Sequence, residues 1–183
     1  MKMHFNLKTS LIVAAILVIP VAQAASMTKA DYQAGKTRIS ADYKADKTAC
    51  ASLAANTKDI CVEEAKAKEK VARAELEYSY SGKASDQTKL LEVKAKSAYA
   101  VAKEKCDDKA GNDKDVCVKE AKAVETKALA DAKQGKQIGE AKKEASEDKR
   151  DANYKVAVEK CDALAGEAKD SCIAAAKVKF GKN

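Results

Sequence analysis

Cys106-Asp107-Asp108-Lys109-Ala110-Gly111-Asn112-Asp113-Lys114-Asp115-Val116-Cys117 places a helix stop and a helix start back to back between two cysteines. Gly111 suits the left-handed backbone that closes a helix. Asn112 suits the N-cap of the next helix, with Asp115 three residues on in a capping-box-like position. The turn falls midway between the cysteines, so in a hairpin of two helices they face each other across the seam. If the segment were instead one continuous helix, eleven residues would separate the cysteines by about 16 Å. A bridge tolerates a Cα separation of no more than about 7 Å. The Gly-Asn turn favours the hairpin.

The same block occurs three times. Cys50/Cys61, Cys106/Cys117 and Cys161/Cys172 each lie eleven residues apart and account for all six cysteines. Tyr43, Tyr99 and Tyr154 stand seven residues before each first cysteine. Lys58-Asp59, Lys114-Asp115 and Lys169-Asp170 precede each second one. A near-constant period of this kind marks one supersecondary unit copied in series. The copies differ at the turn. Unit three has Gly166 and Asp170 but Glu167 at the cap position, and unit one has Asn56 and Asp59 but Ala55 where glycine belongs.

Periodicity outside the turn agrees with helices. Leu91, Ala95, Ala98, Ala102 and Cys106 step along one helical face, and Cys117, Ala121, Val124 and Ala128 do so beyond the turn. Alternating β-branched runs are missing, and Ala, Lys and Glu dominate, all strong helix formers. The fold expected is all-α, with three αα-hairpins making about six helices, each hairpin stapled by one disulfide near its turn. Breaks between hairpins are expected at Ser79–Ser85, with Ser85 as N-cap, and at Gln134–Gly139. Thr28 with Asp31 is placed to cap the first helix.

The N-terminus is a separate segment. Lys2 and Lys8 precede an apolar run from Leu11 to Val21, and Ala22-Gln23-Ala24 is a small-x-small cleavage site. This is the pattern of a secretory signal peptide over 1–24. The apolar run is short of the roughly 20 residues that span a bilayer. Residues 25–183 then form a single helical array, with units at approximately 25–84, 85–139 and 140–183. Removing the leader takes away His4 and Pro20, the only His and the only Pro in the chain. An exported chain with an even cysteine count belongs in an oxidising compartment, periplasmic or secreted.

Chemistry is sparse. Without histidine, Ser-His and Cys-His nucleophiles and His-containing metal sites are excluded from the mature chain. C-x-x-C pairs and Gly-rich phosphate loops do not occur. Glu63, Glu64, Lys66, Glu69 and Lys70 read as a solvated helix face with i,i+4 pairs. No catalytic residue, cofactor or metal ligand is expected. Cys50, Cys61, Cys106, Cys117, Cys161 and Cys172 are structural disulfides, and the repeated tyrosines are packing rings beside them. Tyr78 and Tyr80, near Gly82 in unit one only, are the better candidates for a partner contact. The formal charge of +7 is spread among acids. It suits an anionic envelope component or an envelope protein rather than nucleic acid.

The Cys106–Lys122 and Cys161–Cys172 blocks resemble small Ala/Lys-rich exported proteins of Gram-negative bacteria, some of them labelled TolA-like or cell-envelope biogenesis proteins. The resemblance covers nearly the whole mature chain and implies a helical, periplasmic protein. It supplies no catalytic or binding residue. The paired cysteines and the cleavable leader depart from the TolA pattern. The functional expectation is a non-enzymatic envelope structural or interaction module; a chaperone-like or stress-response binder of unfolded clients or anionic ligands is the alternative.

Overall fold

Thr28 opens the first helix as the sequence suggests. Its hydroxyl oxygen accepts the Asp31 amide at 3.1 Å and donates to the Asp31 carboxylate at 2.6 Å, so one side chain satisfies an orphan N–H and holds an acid at the positive helix end. The computed structural model describes residues 27–182, and the signal-peptide reading lies outside them. Five helices follow: α1 (Lys29–Cys50), α2 (Ala55–Ser81), α3 (Ala84–Cys106), α4 (Gly111–Cys161) and α5 (Gly166–Phe180). None is long and apolar enough to cross a membrane.

The helices pack strictly in series. α1 lies on α2, α2 on α3, α3 on α4 and α4 on α5, with no other pairing among the described residues. On α2 the α1-facing residues include Ala65 and Leu76, whereas Ala67, Val71 and Ala74 face α3. At 100° per residue these sets lie on opposite sides of the helix. The result is one layer of helices rather than a bundle around a shared core.

Such a layer buries little. The core consists of Ile39, Leu90, Ala65, Ala74, Ala95, Ala132, Ala176 and three cysteines, and the cysteines are its most deeply buried side chains. Alanine methyls allow close helix approach but contribute little area at about 25 cal/mol per Å². Gly35 shows how close: a Cβ there would stand 2.8 Å from Leu76 Cδ1.

Two expectations are corrected. The array has five helices, not six, because the break expected at Gln134–Gly139 is absent and α4 continues through it for 51 residues. At about 1.5 Å per residue α4 is about 75 Å long. The boundary between α2 and α3 does break, and the contrast explains why. There Gly82 takes φ +63°, and its amide donates to the Tyr78 carbonyl at 2.8 Å. Ser81 Oγ accepts the Lys83 amide and donates to the Asp86 carboxylate at 2.6 Å. Between Ala132 and Ala145 no Ser, Thr, Asp or Asn stands ready to satisfy freed backbone groups. Gly135 and Gly139 therefore weaken the helix without ending it. Ser85, in turn, is not a cap: α3 begins at Ala84, after Lys83.

Candidate functional site

The three cysteine turns are copies in three dimensions. Cys50–Cys61, Cys106–Cys117 and Cys161–Cys172 are bridged, with Cα separations of 5.6, 5.7 and 5.7 Å, and no free cysteine remains among the described residues. The bridges tie α1 to α2, α3 to α4 and α4 to α5. Each fits an oxidising environment. In each turn an extended alanine (Ala54, Ala110, Ala165) precedes a left-handed residue (Ala55 at φ 49°, Gly111 at 55°, Gly166 at 56°).

The glycines are thus left-handed as expected, yet they open the second helix instead of closing the first. The first helix has already ended at its cysteine. Asn112 is not a side-chain cap. A salt bridge holds the turn instead: Lys114 Nζ to Asp107 Oδ1 and Lys169 Nζ to Asp162 Oδ1, each 2.9 Å. The hydrogen bond to the aspartate raises each lysine above its usual pKa. Unit one has Ala51 at the aspartate position and lacks the bridge. Its Asn56 reaches out of the hairpin, donating to the Glu104 carbonyl at 3.3 Å and to Asp108 Oδ1 at 2.7 Å. That contact pins the first turn beside the second.

The tyrosines have several jobs. Tyr43 and Tyr99 are half-buried under Lys47 and Lys122, whose ammonium groups lie 5.5 and 4.9 Å from the ring centroids. Tyr154 meets Phe180 edge to face at 6.3 Å, joining α4 to the end of α5. Of the two candidate contact residues, Tyr80 is exposed but already stacked on Tyr32 at 4.5 Å, and Tyr78 is half-buried. The Tyr32 hydroxyl donates to Glu77 at 2.5 Å, which raises its pKa. These rings fasten α1 to the far end of α2.

One face of the α1–α3 layer combines ion pairs with an apolar trough. Lys68–Asp46, Lys94–Glu75 and Lys105–Glu64 cross between helices at 2.7 to 2.8 Å. Between α2 and α3 lies an open trough of about 520 Å³ walled by Ala67, Val71, Ala98, Val101 and Ala102. Ser97 lines it, and its buried hydroxyl has no hydrogen-bond partner. Among the described residues no group of three His, Cys, Asp or Glu is placed to hold a metal ion.

Sequence reasoning missed Glu125. It read Val124 as part of the α4 face beyond the turn, but Val124 is 67% exposed and Glu125 only 6%. The buried carboxylate accepts from Lys122 at 2.6 Å. Compared with known proteins, the chain matches no family model, no curated protein and no solved structure.

Proposed function

We propose that the protein is a non-enzymatic helical array of the cell envelope, exported to the periplasm, that serves as a spacer and interaction surface. The serial layer carries this reading. Each helix touches only its chain neighbours, so both broad faces stay open to partners, and disulfides replace the missing core. The leader-like segment 1–24 and the disulfides support export. Cell fractionation combined with a photoreactive residue at Val124 or Ile138, both exposed, tests it. Cleavage after Ala24 and crosslinks to an envelope component are expected. A cytoplasmic, uncleaved and uncrosslinked chain would refute the reading.

The trough between α2 and α3 favours a second reading, a chaperone-like binder whose apolar strip receives unfolded clients. Suppression of client aggregation, lost on Val101→Glu, is its test. Equal protection by wild type and variant would reject the trough as the client site.

A further inference from the structure

The opposite face of the same three helices is built differently. A groove of about 400 Å³ runs over α2, between α1 and α3. Its floor is apolar: the Tyr32 ring, Ala74, Leu76 and Val93. Its rim is basic: Lys36, Lys70, Arg73 and Lys89. Two acids also line it, and both already accept a hydroxyl: Glu77 from Tyr32 at 2.5 Å and Asp86 from Ser81 at 2.6 Å. Arg73 is paired with Glu69 at 2.8 Å and donates to Ser40 at 3.0 Å.

The three rim lysines differ from those across the layer. On the trough face Lys68, Lys94 and Lys105 each meet a carboxylate on the neighbouring helix. Among the described residues, Lys36, Lys70 and Lys89 meet none; Lys36 lies 5.5 Å from the centroid of the Tyr32 ring. Three unpaired ammonium groups on three different helices leave the groove with a positive potential that its two acids do not cancel. An anion in the groove lies in the field of all three. The apolar floor beneath them rewards a ligand with a hydrocarbon or aromatic body, and a bare anion leaves that floor wet.

We propose that this groove is a binding site for a small anionic amphiphile, its acid group attracted to the Lys36, Lys70 and Lys89 rim and its apolar body laid on Ala74, Leu76 and Val93. The inference rests on the groove itself and stands apart from the envelope and chaperone readings. Higher salt weakens binding, because the rim is exposed and screened.

The test is a fluorescence titration of the oxidised mature chain with anilinonaphthalene sulfonate, a sulfonate on a flat apolar body, followed by displacement with dodecanoate or inorganic phosphate. The double variant Lys70→Gln/Lys89→Gln is expected to bind about tenfold more weakly, the sum of two exposed charge contacts. The control Lys142→Gln/Lys143→Gln, on α4, retains wild-type affinity. Dodecanoate displaces the dye at concentrations where phosphate does not. Circular dichroism of each variant checks that helix content is unchanged. Equal affinity for wild type and groove variant, or equal loss in both double variants, overturns the site. Displacement by phosphate as readily as by dodecanoate overturns the amphiphile assignment.

Discussion

Lys114 reaches back across the second turn to place its ammonium 2.9 Å from the Asp107 carboxylate, and Lys169 repeats the contact with Asp162 in the third. Both pairs bridge the four-residue link between a helix ending in cysteine and a helix opening on glycine. The unit-one position is Ala51, so the device is present in two turns of three.

These pairs give a signed pH dependence. The folded-state pKa of Lys114 and of Lys169 is raised, so their contribution is complete below the unfolded lysine value of about 10.4 and fades as pH rises through the higher folded value. Asp151 behaves oppositely. Its hydrogen bond from Lys182 lowers its pKa, so its contribution is present above about pH 3.9 and is lost as pH falls through the folded value. Stability is expected to be flat between these limits. Below them α5 loosens at its Lys182 end, and above them the second and third turns weaken. Urea midpoints across pH measure both limbs, and Asp107→Asn should make the alkaline limb shallower by removing the Lys114 share while leaving that of Lys169.

Ala55 is the one non-glycine residue with positive φ among those described. An L-residue with a Cβ loses roughly 1–2 kcal/mol in that region. Ala55→Gly should therefore stabilise the chain by about 1 kcal/mol, the gain being partly offset by the greater unfolded-state entropy of glycine. Gly111→Ala and Gly166→Ala should cost about 1 kcal/mol each by the same reasoning. Denaturant titration of the oxidised proteins decides it; a destabilising Ala55→Gly would show that the first turn does not need the left-handed residue.

Two other glycines separate space from propensity. Gly139 lies within α4, and a methyl added there would meet nothing within 4 Å, so Gly139→Ala should gain the helix-propensity difference of about 1 kcal/mol. Hydrogen exchange of residues 133–145 should slow. At Gly35 the new methyl meets Leu76 Cδ1 at 2.8 Å, so the leucine must leave its rotamer at a cost of about 1 kcal/mol. Gly35→Ala is expected to be nearly neutral.

The disulfides are expected to act locally, because the helices touch in series. Cys161→Ser/Cys172→Ser releases α5, whose sole neighbour among the described residues is α4. The chain-entropy loss is roughly 2.5–3 kcal/mol. Exchange protection should vanish over 166–180 and persist over 55–106. Protection lost throughout would mean that the array folds as one cooperative block.

The hairpin turns were legible because their determinants are local. An eleven-residue cysteine spacing, a central residue suited to left-handed backbone and helical periodicity on both sides leave one geometry that brings the sulfurs together. Thr28 with Asp31 was legible for the same reason. The length of α4 was not. Glycine at 135 and 139 resembles glycine at 82, and the difference lies in whether nearby side chains can satisfy an interrupted backbone. Val124 was placed on the packed face in error because it and Glu125 straddle the edge of a helical face, and only the packing of α4 says which one is covered.

The sequence by itself determined the all-helical class, the disulfide pairing and the left-handed turn positions, because each follows from contacts within a dozen residues. The tertiary structure decided the serial layer, the reach of Asn56 to Asp108, the burial of Glu125 and the contrast between paired and unpaired lysines on the two faces. Those depend on which residues of different helices share a side and at what height. With alanine on so many faces, the pattern along the chain leaves that choice open until the helices are packed.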